Sequence, residues 1–108
     1  MILDKIKQSM RISHNRIDDD IISDVDTAKL DMTRLGIDVY KRDADGNIEK
    51  IYGEEVLKDN LVYKCIEFFV KWQADYMGQG DKYEKAYKDL SASLSLSGKY
   101  IEVVKNEE

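Results

Sequence analysis

His14 is the sole histidine of the 108 residues and Cys65 the sole cysteine, so acid–base or thiol chemistry would have to run through one of them. His14 stands between Ser13 and Asn15 with no nucleophile motif around it, which makes it a loop or capping residue. Cys65 falls in an apolar stripe and reads as a small core hydrophobe unless a nearby base activates it. The run Asp43-Ala44-Asp45-Gly46-Asn47 invites comparison with a calcium loop. Setting Gly46 at loop position six puts Lys41 first and Tyr52 twelfth, where a carboxylate and a bidentate glutamate are required. That reading fails, and Asp43 and Asp45 become turn formers. Asp18, Asp19 and Asp20 sit in or near the first turn of a helix, where the dipole favours negative charge, and capping explains them. With no Gly-rich phosphate loop and no paired Cys or His ligands, the expectation is a non-enzyme without cofactor or metal.

The elements that carry these residues follow from periodicity. Leu3, Ile6 and Met10 share one face of a short helix from Ile2 to Met10. Ile17, Ile21, Val25, Ala28, Met32 and Leu35 recur at steps of four and three, predicting a second helix capped by one of Asn15 to Asp18 and stopped by Gly36. Ala28 suits a close helix crossing, while Ile22 and Leu30 lie off the stripe. Ile37 to Lys58 has strand-like residues on either side of Asp45 to Asn47 and predicts a short β-hairpin or an ordered loop, with residues 54–58 a separate short turn.

Asp59 to Met77 is the densest stretch, a helix capped by Asp59. Lys64, Glu67, Lys71 and Asp75 fall in an arc about 80° wide, with Glu67 and Lys71 as an i to i+4 pair on the wet side. The remainder is apolar in three stripes: Leu61, Cys65, Phe68 and Trp72; Val62, Phe69 and Tyr76; Ile66, Val70 and Met77. Such a helix must be covered from at least two directions, by its own chain or by another subunit. Phe68 and Trp72 read as core rather than a ligand cage. Gly78 and Gly80 end it, and Asp81 caps a last helix with Tyr83, Ala86, Tyr87, Leu90 and Leu94 on one face. Period-two alternation in residues 91–97 competes as a hairpin with Tyr100 to Val104; helix through about Ser95 is preferred, because the earlier stripe runs into it unbroken. The tail after Gly98 either frays or adds a strand to a partner.

The fold class is therefore mainly α, a small bundle of about four helices, with residues 1–98 as one domain and 99–108 as a C-terminal tail. Charged residues make up 36% and the net charge is −5, so no large basic field exists to hold nucleic acid. One cysteine, no apolar leader and no long apolar run predict a soluble intracellular protein without a membrane span.

The order of elements resembles a known family. A short first helix ending in Met10-Arg11-Ile12-Ser13, an acidic start to helix two, the segment DTAKLDM around Ala28, the helix LVYKCIEFFVKWQADY and a Tyr-containing last helix are similar to the head-tail connector, adaptor or DNA-packaging proteins of tailed bacteriophages. The similarity covers roughly Leu3 to Leu94. It implies a structural virion protein of the neck, assembled in the host bacterial cytoplasm as a homo-oligomeric ring. The ring would lie under the portal protein, extend the DNA channel and dock the next neck or tail protein. An acidic subunit suits a channel through which DNA slides without sequence-specific binding. The resemblance assigns ring contacts to Leu30, Ile66, Val70 and Met77, and portal or partner contact to Tyr100, Ile101, Val103 and Val104. The alternative is a small helical regulatory module that binds proteins as a dimer; a nucleic-acid reader would gather basic side chains on one helix, and none does so.

Overall fold

Ile21, Val25, Ala28 and Met32 are the buried residues of helix α2 (Asp18–Arg34), so the helical period read from the chain is the face it turns inward. A computed structural model describes residues 2–101, in which α2 follows α1 (Ile2–Ser9). Strands β1 (Lys50–Ile51) and β2 (Glu54–Glu55), α3 (Asn60–Gln73), a 3-10 turn (Tyr76–Gly78) and α4 (Gly80–Leu96) complete the order. The architecture is mainly α, with four helices among the described residues and the small hairpin between α2 and α3. α3 is the centre, packed chiefly against α4 and then α2.

Local chemistry sets the element ends. Gly36, at φ +86°, closes α2 while Ile37 N–H donates to the Met32 carbonyl at 3.0 Å, the six-to-one bond of a glycine C-cap. No side chain caps the start of α2, so Asp18 to Asp20 occupy its first turn without the capping bond expected of that region; Asp18 instead pairs with Lys7 at 2.8 Å. Asp59 does cap α3, its Oδ1 accepting from Leu61 and Val62 N–H at 3.0 and 3.1 Å.

α3 stops a turn earlier than its apolar pattern suggested. Asp75 turns left-handed at φ 48° and its Oδ1 accepts from Gly80 N–H at 2.7 Å, folding the chain back into α4. A Cβ at Gly80 would lie 2.7 Å from that same oxygen, so the corner needs glycine. Asp81 accordingly sits inside the first turn of α4 rather than capping it. α4 runs through Leu96, so the alternating serines are helical.

Residues 37–58 make two turns rather than one. Asp43 Oδ1 accepts from Asp45 and Asn47 N–H at 2.9 and 3.0 Å, the turn-forming role read from sequence, and Arg42 bridges to Ile48 across it. β1 and β2 then pair antiparallel, Lys50 with Glu55 and Ile51 with Glu54, around Tyr52 and Gly53 at φ 51° and 80°. Residues 54–57 are thus the returning strand, not a separate turn, with Leu57 bridged to Tyr40.

The body also extends past Gly98. Tyr100 is buried in the core, its carbonyl accepts from Asp38 N–H at 2.7 Å, and Ile101 bridges Ile37. The Tyr100 hydroxyl donates to the Asp59 cap. Tyr100 is therefore committed inside its own subunit and is withdrawn as a partner contact. Ile66 and Val70 are withdrawn as ring contacts for the same reason: both are fully buried against the chain's own helices. Val103 and Val104 lie outside the described residues.

Candidate assembly surfaces

The reactive side chains prove quiet. Cys65 is fully buried, and desolvation, with a smaller push from the Asp31 charge, raises its thiol to about 12. His14 is exposed and its Nδ1 accepts from Arg16 N–H at 3.2 Å, a loop role. Among the described residues no three His, Cys, Asp or Glu side chains converge as metal ligands.

The polar centre lies elsewhere. Glu67 and Lys71, expected on a wet face, are 4% and 9% exposed, joined at 2.7 Å. α1 covers the arc: the Ser9 hydroxyl donates to Glu67 Oε2 at 2.7 Å, and Lys64 lies 3.5 Å from Oε1. Burial alone would raise Glu67, but hydrogen bonds from Lys71 and Ser9 and the charges of Lys71 and Lys64 hold it below the ordinary value. Lys71 also lies 5.2 and 5.4 Å from the Tyr76 and Tyr83 ring centroids. A neutralised, fully bonded pair of this kind fixes how α1 sits on α3; it has no free group for catalysis.

A second network ties α2 to α4. Tyr87 hydroxyl donates to Asp31 Oδ2 at 2.6 Å while Arg34 holds Oδ1 at 2.7 Å. Burial works against Asp31, yet these bonds and the Arg34 charge keep its carboxyl low. Phe69, Trp72 and Tyr87 pack beside it with ring centroids 5.1 to 6.1 Å apart.

What remains uncovered is surface for partners. Of the four residues first assigned to ring contacts, Leu30 and Met77 stay on the outside, 71% and 77% exposed. Met77 is held there by a left-handed backbone at φ 54°. Leu96, at 87% exposed on the outer side of α4, is an uncovered apolar group that the sequence reading passed over, since it looked like one more member of a serine-rich stretch. Ile101 is part-exposed beside its bridge to Ile37.

Two grooves mark the ends of α3. At its start a groove of about 940 Å³ lies between the hairpin and the helices, lined by Ile2, Lys5, Lys29, Lys50, Tyr52 and Tyr63 among others. At its finish a groove of about 440 Å³ is lined by Ile17, Asp20, Asp24, Val70, Gln73 and Ala74. Neither was legible beforehand, because each joins residues far apart in the chain.

No helix among the described residues is long and apolar enough to cross a membrane. Comparison with curated proteins and with solved structures gives no match. A family model described as "Phage connector protein" matches residues 2–101, the span that holds every helix, the hairpin and the Ile101 bridge. This chain therefore belongs to the phage connector protein family and is a structural component of a bacteriophage.

Proposed function

We propose that the protein is a head-tail connector that assembles as a ring under the portal, extends the DNA channel and docks the next neck or tail protein. The observation that carries this reading is the family match across all of residues 2–101, which leaves no described element outside the connector unit. The subunit's own core is closed, and Leu30 and Met77 remain outside as ring contacts. Ile101, followed by Val103 and Val104, is the segment proposed to reach the portal or another partner. A net charge of −5 keeps the subunit from gripping phosphates, which suits a channel for sliding DNA.

Electron microscopy of the purified protein, alone and mixed with the portal protein, tests this. Rings, or collars bound to the portal, are expected. Compact dimers that ignore the portal would instead favour a regulatory module acting as a dimer.

A further inference from the structure

Charge is balanced along the middle of the subunit and left unbalanced at the two ends of α3. Lys5, Lys29 and Lys50 line the groove at its start, and none of them has a carboxylate partner among the described residues, whereas Lys7, Lys58, Lys64 and Lys71 each do. Lys5 and Lys29 rest on tyrosine rings, 4.1 Å from the centre of Tyr63 and 5.3 Å from that of Tyr40, which orders the stems and leaves the charge uncancelled. The carboxylates of the same groove are mostly engaged: Asp59 caps α3 and accepts from Tyr100, and Glu55 bonds the Tyr40 hydroxyl, leaving Glu54 at the rim.

The far end is the opposite. Asp19, Asp20 and Asp24 on the first turns of α2 have no cationic partner among the described residues, and none caps the helix. Burial and the neighbouring Asp20 charge raise the Asp24 carboxyl, the mark of like charges crowded together. Asp20 and Asp24 line the groove against the last turn of α3, with Met77 exposed just beyond. The 14 residues of α3 separate the two ends by about 20 Å.

We infer that a second copy of this chain is the occupant of the lysine groove, entering it with its Asp20 and Asp24 end. The two patches differ, so the contact is heterologous, the kind a closed ring requires and a two-fold dimer does not use. Leu30, next in sequence to Lys29, and Met77 add one exposed apolar side chain at each end. Opposite charge on the two patches sets the register and direction of packing. This contact rests on the ring reading above and specifies which surfaces build it.

Charge reversal tests it. One variant carries Lys5→Glu and Lys50→Glu, the other Asp20→Lys and Asp24→Lys, with circular dichroism confirming that both fold. Each is analysed by sedimentation with the portal protein present. Each variant alone should lose at least about tenfold in self-association, because both of its patches then carry one sign. An equimolar mixture should regain assembly by alternating the two variants, and wild-type assembly should weaken as salt rises from about 0.05 M to about 0.5 M. Rings that form from either variant alone and ignore salt would overturn the inference while leaving the connector reading intact. A wild-type protein that forms no ring with or without the portal would overturn both.

Discussion

Between Val62 and Lys71, α3 turns Val62, Ile66 and Val70 into a closed core and buries even its Glu67–Lys71 pair, while at its two ends Lys5, Lys50, Asp20 and Asp24 stand without partners. One helix thus serves two purposes. Its middle is completed by α1, α2 and α4 of the same chain, so a small domain gains a core without outside help. Its ends keep charge and apolar surface that only another molecule can cover. The excess of apolar residues on this helix, which in sequence suggested a subunit contact, is absorbed within the fold; the contact surfaces come from residues gathered at its ends.

The strongest way to break this comparison is to place a charge in the middle. Val70→Asp should abolish folding, a loss of about 5 kcal/mol or more, because the carboxylate has no partner there; circular dichroism reads it. A folded Val70→Asp protein that merely fails to assemble would return Val70 to the interface.

Next in size is the buried pair. Glu67→Ala should cost about 3 kcal/mol in urea unfolding, since Lys71 is left buried and unpaired. The same carboxylate predicts acid lability. Its folded value lies below the ordinary 4.5, so its contribution is complete above that pH and is lost as the pH falls through the lower folded value. Asp31 and Asp59, also lowered from 3.8, act with the same sign. Glu67→Gln should flatten the slope of stability against pH below about 4.5.

A smaller effect belongs to the C-terminal bridge. Tyr100→Phe removes a hydroxyl that donates to the Asp59 cap and should cost about 1.5 kcal/mol, measured by the same unfolding curve. Smallest in stability are the ends: Leu30→Ser and Met77→Ser should change folding by no more than about 0.5 kcal/mol yet weaken assembly. If either unfolds the subunit, the division between middle and ends is wrong.

Much of the fold could be read from residue spacing. The inward face of α2, the Asp59 cap, the Asp43 turn and the helical nature of residues 91–96 all follow from local patterns. The errors share one cause. Glu67 and Lys71 sit in a polar arc, which in one helix viewed alone means water; α1 lies over that arc, and the two charges cancel each other well enough to be buried. The early end of α3 depends on a side chain, Asp75, reaching five residues ahead to Gly80, a contact that apolar periodicity does not register. Tyr100 looked like free tail because its partners, Asp38 and Asp59, are dozens of positions away. The candidate surfaces were legible only as single exposed residues such as Leu30, since both grooves arise from tertiary assembly.

Hydrogen exchange, compared between the free subunit and the assembled connector, tests the division most directly. Amides of residues 64–71 should be equally protected in both, while residues 17–24 and 59–63 gain protection on assembly. Protection of residues 64–71 that appears only in the assembly would show that neighbouring subunits, rather than the chain's own helices, complete the core.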